Sequence, residues 1–264
     1  MFATLRPVIS RKLLKLRMRA LRKLGRWSVS PLSECDIKYI PVYCINLESA
    51  VARRALMLRQ AVSLGLTNFS FVDAVSATKL DLHQLQQDGD YDEAAAIKLH
   101  GRPLTRGEIA CSLSHGQVYE RILAEGHPFA LVLEDDALFI SHRLQRVRLA
   151  DFPIGIDVIF LNFFRSVEPP RGRISGSIFS DASYEGSSAA YIVTRSGAEK
   201  LARAYRPVVH AADGLLGRSL AHLDGRAAVF PPARHLHRNC RLPRLSRLRP
   251  KRIGSTICAD NPGA

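Results

Sequence analysis

One segment restricts the possible folds more than any other. Residues 129–139 read FALVLEDDALF: five apolar residues, Phe129 to Leu133, stop abruptly at Glu134, Asp135 and Asp136. A strand that is apolar at every position is covered on both faces, as strands of parallel sheets are. Open α/β sheets bind ligands beyond the carboxyl ends of their strands, which is where this acidic run falls. Three adjacent carboxylates repel one another, and a hard divalent cation bound through oxygen relieves that repulsion. The competing reading is an exposed turn or a helix N-terminus, where acids are also favourable.

The surrounding pattern alternates in keeping with that strand. Ile40–Leu47 reads as a buried strand and VARRALMLRQAVSLG as a helix closed by Gly65. Phe69–Val72, Asp157–Asn162 and Ala189–Thr194 are further strand candidates. Thr105 and Glu108 have capping-box spacing, and the helix they open extends to Gly126. Ser196 and Glu199 have the same spacing before another helix. Residues 77–100 are polar and mixed, which suits a helical insertion or a mobile loop. Strands alternating with helices predict an α/β fold around a largely parallel sheet.

Charge divides the chain. Residues 1–27 hold nine Lys or Arg and no acid, and residues 226–252 hold nine more and no acid. That leaves 20 bases against 23 acids in residues 28–225, so the body is nearly neutral although the whole chain carries +14. Leu13, Leu14, Ala20, Leu21 and Leu24 follow helical spacing among the first cations, the pattern of a basic amphipathic helix on anionic lipid. A solvated arm is the plainer alternative. The second basic segment is broken by Pro243 and Pro250 and reads as an extended strap. A nucleic-acid-binding protein is disfavoured, because the excess charge is terminal and no zinc-finger spacing or RNP-like aromatic run is present. Five scattered cysteines form no CxxC pair and fit a reducing compartment. No stretch of eighteen apolar residues reads as a membrane span.

Three further pieces bear on chemistry. Asn46 closes the first strand and Arg53 and Arg54 begin the next helix, an arrangement suited to a nucleotide and its phosphates. His115 lies seven residues beyond Glu108, so the two share a helix face. Glu185 opens a glycine-led strand, EGSSAAYIV, whose backbone a substrate can approach closely. Singly, such residues are more often structural.

Together, INLESAVARR, LTRGEIACSLSH, FALVLEDDALF and GSSAAYIVTRSGAEKL resemble glycosyltransferase family 25, the lipopolysaccharide and lipooligosaccharide galactosyltransferase-like family. A short GSTI at 254–257 resembles the family's closing element, while Ala110 stands where the family pattern has Gly. The resemblance spans roughly residues 38–233. It implies a GT-A-like nucleotide-sugar-binding fold, with a mostly parallel central sheet flanked by helices. It further implies inverting transfer of a hexose, foremost galactose, from a UDP-sugar to a glycan or glycolipid acceptor.

In that reading Glu134-Asp135-Asp136 stands for a DxD-type motif. Asp136, with Asp135, ligates Mn²⁺ or Mg²⁺, and Glu134 orients the donor ribose or sugar. Asn46, Arg53, Arg54, Glu108 and His115 are the remaining donor-binding candidates. Inversion requires a base opposite the leaving group. Asp213 is the first choice, by the family's acid at that position, although its flanks Ala212 and Gly214 depart from the family pattern. Glu185 is the second. His237, or His235 beside it, is a candidate late metal ligand, or else part of the basic strap. The organisation expected is a basic extension over 1–30, a catalytic domain over 31–233 and a basic tail over 234–264, in a cytoplasmic protein peripheral to the membrane. An inactive scaffold or a basic nucleic-acid binder is the alternative.

Overall fold

The computed structural model describes residues 31, 36–139, 144, 145, 147–152, 154–161, 173–175, 178, 179, 188–216 and 227–229. The apolar strands anticipated above fold as β1 (Val42–Asn46), β3 (Phe129–Glu134) and β7 (Ala190–Thr194). They join β2 (Phe69–Asp73), β4 (Val158–Phe160), β5 (Arg173–Ser175), β6 (Ile178–Phe179) and β8 (Ala227–Val229). The eight form one sheet in the order β2-β1-β3-β7-β4-β8-β6-β5. β1 pairs in parallel with both β2 and β3, and β4 with β8. β7 is antiparallel to β3 and β4, and β6 to β8 and β5. Six strands therefore point one way and two, β6 and β7, the other. The fold is the expected α/β class, with β7 inserted antiparallel at its centre.

Side-chain alternation explains why these strands are apolar throughout. Tyr43, Ile45, Ala130, Val132, Tyr191 and Val193 enter one core, and Val42, Cys44, Leu131, Leu133, Ala190 and Ile192 enter another. A period of two sends successive residues to opposite faces, and both faces are roofed. Helix α1 (Val51–Leu64) covers the second face through Met57, Ala61 and Leu64. Gly65 ends it at φ 75°, its N–H reaching the carbonyls of Ala61 and Val62. Helices α2 (Leu82–Gln87) and α3 (Glu93–His100) fall in the polar segment, each started by an aspartate side chain, Asp81 and Asp92. The long helix α4 (Arg106–Ala124) covers the first face and opens with the anticipated capping box of Thr105 and Glu108.

Helix α5 (Arg195–Ala204) follows β7 directly and corrects one expectation. Its cap is Thr194, whose hydroxyl accepts from the Gly197 N–H at 3.1 Å. Ser196 instead donates to Asp157 at 2.9 Å. The last strand residue doubles as the cap because its extended backbone suits both positions. A short helical turn, α6 (Ala212–Gly214), packs against α4. Among the described residues no helix is long and apolar enough to cross a membrane.

Candidate active site

Adjacent parallel strands deliver their last residues side by side. Ile45 is in register with Glu134, so Asn46 and Asp135 emerge together at the carboxyl edge. Asn46 donates from Nδ2 to Asp135 Oδ2 at 2.8 Å. Arg53, in the first turn of α1, donates to the other oxygen at 2.7 Å. This ion pair is closed off from water, with side-chain exposures of 10% for Arg53 and 1% for Asp135. Burial pushes the Asp135 carboxyl up to about 6, against the opposing pull of Arg53 and Asn46. Arg54 lies over the Phe71 ring at 4.0 Å, reaches Asn46 Oδ1 at 3.3 Å and pairs with exposed Asp73 at 3.8 Å.

The turn after β3 is braced from α1. Buried Gln60 donates to the Ala137 carbonyl at 3.2 Å and accepts from the Phe139 N–H at 2.9 Å. Asp136 sits in this turn and is also buried. Glu134, the last residue of β3, accepts a short hydrogen bond from the Ser188 hydroxyl. His115 Nε2, on α4, lies 3.6 Å from the same Glu134 oxygen, and its Nδ1 is 2.8 Å from the Tyr191 hydroxyl. Tyr191 donates onward to Tyr119 at 3.2 Å. Cys111 stands one turn before His115, and a ligand atom from each of Cys111, His115 and Glu134 lies within 4.8 Å of the others.

The structure thus brings Asn46, Arg53, Arg54, His115, Glu134, Asp135 and Asp136 to the ends of β1 and β3. Glu108 is occupied differently. It completes the α4 cap and receives both amino groups of Arg102, at 2.9 and 2.6 Å. Burial raises its carboxyl, but Arg102 and the Thr105 N–H and hydroxyl outweigh that and hold it below the usual range. Asp213 is the second residue of α6, a turn tied to α4 by the Ser112 hydroxyl donating to the His210 carbonyl at 2.7 Å. Glu185, His235 and His237 lie outside the described residues. An open cleft of about 620 Å³ between α2, α3 and Pro207 is lined by residues such as Gln86, Tyr91, Glu93 and Ile97, and none of the acidic turn is among them.

Sequence reasoning passed over Gln60, Cys111, Tyr119 and Ser188 as parts of this arrangement. Cys111 and His115 carried a usable signal, a four-residue spacing on a helix that aligns both on one face. Ser188 lay inside the glycine-led strand. Gln60 carried no signal, because a polar residue in a helix is ordinarily solvated.

The fold is an α/β domain with a buried acidic turn at the carboxyl edge of its sheet, and comparison with known proteins is more specific. The sequence profile of glycosyltransferase family 25 (LPS biosynthesis protein) matches residues 39–216, and the chain belongs to that family. A glycosyltransferase 25 family member of Anopheles gambiae is 35% identical over 61% of this chain and 28% of its own length. Procollagen galactosyltransferase 1 of Danio rerio is 31% identical over 67% of this chain and 30% of its own. A human relative, inactive glycosyltransferase 25 family member 3, is 30% identical over 70% of this chain and 32% of its own. The chain therefore spans about a third of the length of these relatives.

Proposed function

We propose that this chain is a metal-dependent, inverting glycosyltransferase that moves a hexose, foremost galactose, from a UDP-sugar to a glycan or glycolipid acceptor in surface-glycan assembly such as lipopolysaccharide. The observation that carries the reading is the Asp135-Asp136 turn at the carboxyl edge of β1 and β3, with Asn46 and Arg53 set into it, in a chain of family 25. The donor atoms there are carboxylate oxygens, the chemistry that Mn²⁺ and Mg²⁺ take. Both oxygens of Asp135 are held by Asn46 and Arg53, so in this reading Asp136 is the principal metal ligand and Asp135 the brace. When bound, the ion supplies Lewis-acid stabilisation of the departing nucleoside diphosphate. Arg54, half-exposed beside Asn46, is suited to a donor phosphate.

The acceptor hydroxyl must lose its proton as its oxygen bonds to the sugar's C1, and Asp213 is the base in this reading, with Glu185 the alternative. His237 is the further metal ligand. Residues 1–27 hold the protein reversibly on an anionic membrane surface, the cytoplasmic face, where a lipid-linked acceptor is built.

The test is UDP release from a panel of UDP-sugars with and without Mn²⁺, in the wild type and in Asp136→Ala. Metal-dependent release that the substitution abolishes, with the fold intact, supports the reading. Near-normal turnover by Asp136→Ala removes the metal role. A wild type that binds UDP-sugar yet releases no UDP, with or without acceptor, is a non-catalytic family member.

A further inference from the structure

We propose that Cys111, His115 and Glu134 form a buried zinc site, separate from the oxygen-ligand turn, that pins α4 to the end of β3. All three are shielded from solvent, with exposures of 5%, 1% and 2%. The geometry begins at Tyr191. Its hydroxyl donates its single proton to Tyr119, so toward His115 it acts as acceptor, and the Nδ1 of His115 carries the hydrogen. In the neutral imidazole Nε2 then presents a lone pair, and this buried nitrogen has no hydrogen-bond partner.

That lone pair faces a Glu134 oxygen at 3.6 Å, too long for a hydrogen bond. Two ligands each about 2.0–2.1 Å from one tetrahedral ion lie about 3.4 Å apart, close to the spacing seen. Cys111 Sγ is the third ligand atom of the group. The outer contacts are those of a metal site too. The imidazole donates its far N–H to a hydroxyl, and the carboxylate is braced by Ser188.

Charge and ligand type select the ion. Cys111 gives up its thiol proton to solvent on binding, and thiolate plus carboxylate then balance a divalent cation inside the protein. A set of sulfur, nitrogen and oxygen favours zinc, whereas the all-oxygen turn at Asp136 favours Mn²⁺ or Mg²⁺. The fourth position falls to water or to the second Glu134 oxygen.

The test is metal analysis of untagged, full-length protein purified without chelator, followed by cobalt exchange and absorption spectroscopy. The basic tail holds His235, His237 and Cys240, a second possible zinc source, so Cys240→Ser is measured alongside. The expected result is about one zinc per chain and a thiolate-to-cobalt band, both surviving in Cys240→Ser and Asp136→Ala. In Cys111→Ser or His115→Gln zinc affinity falls about tenfold or more and the Cys111→Ser band vanishes. Wild-type protein that is folded, holds only trace zinc and gives no cobalt–thiolate band overturns the proposal, whether or not the variants fold. Zinc and band lost in Cys240→Ser but kept in Cys111→Ser overturn it as well. The readouts are independent of sugar transfer, so a protein that holds zinc through Cys111 yet releases no UDP sinks only the catalytic reading.

Discussion

Asp135 is buried, and its charge is offset by Arg53 and Asn46, which occupy both oxygens. Removing one partner of a buried pair leaves the other uncompensated. Arg53→Ala should cost about 3 kcal/mol of stability at pH 7, read by urea unfolding. The loss should shrink toward pH 5, where Asp135 takes up a proton. A loss that is constant with pH would show that Arg53 acts by packing alone. In the wild type, the Asp135 carboxyl titrates at about 6 when folded, above its ordinary 3.8. The folded state then holds the proton more tightly, so this contribution to stability is complete below about pH 4 and is lost as pH rises through 6. Measured against Asp135→Asn, the wild type should weaken between pH 4 and 7, and a gap that stays flat or widens in its favour contradicts the raised value. Asp213 invites a kinetic test. If it is the base, Asp213→Asn should still bind UDP-sugar and metal yet lose transfer by about a hundredfold or more. Lost donor binding would instead favour Glu185 as the base.

At the scale of elements, the close approach of α5 to β4 depends on one residue without a side chain. A methyl at Gly197 would stand 2.4 Å from the Asp157 carbonyl oxygen, a backbone atom that cannot rotate away. Gly197→Ala should therefore cost about 1–3 kcal/mol in thermal or urea unfolding. It should also loosen the contact in which Lys200 meets Asp157 at 2.9 Å. Unchanged stability would mean that α5 can shift outward freely. The capping box at Thr105 and Glu108 was readable beforehand because its partners are three residues apart. The α5 cap is Thr194, the last strand residue, and Ser196 is engaged instead by Asp157, distant in sequence.

At the scale of the molecule, the two basic ends and the near-neutral body suggest a division between location and chemistry. Residues 1–27 lie outside the described structure, so the membrane prediction rests on their pattern of leucines and nine cations. Each cation near an anionic surface is worth about 1 kcal/mol, reduced by salt. Full-length protein should sediment with anionic vesicles, poorly with neutral ones, and be released as salt rises. Truncation of 1–27 should weaken that binding and spare turnover of a soluble acceptor. Equal partition of both proteins would show that this segment is not the anchor.

Local and periodic information sufficed for much of this protein. Strands apolar at every position required a sheet roofed on both faces. The acids ending β3 had to reach its carboxyl edge, and Gly65 and the Thr105–Glu108 box marked helix ends, because each signal acts within a few residues. The motifs from INLESAVARR to the SGAEKL helix likewise sufficed to indicate the family. Only tertiary structure decided that β7 runs antiparallel through the centre of the sheet, since strand direction depends on which neighbours pair. Only tertiary structure decided that Glu108 is engaged by Arg102 while Asp135 is engaged by Arg53, because charge partners are chosen by proximity in space. The meeting of Cys111 and His115 with Glu134 belongs there too: a helix face can be read from spacing, but what lies opposite it is set by packing.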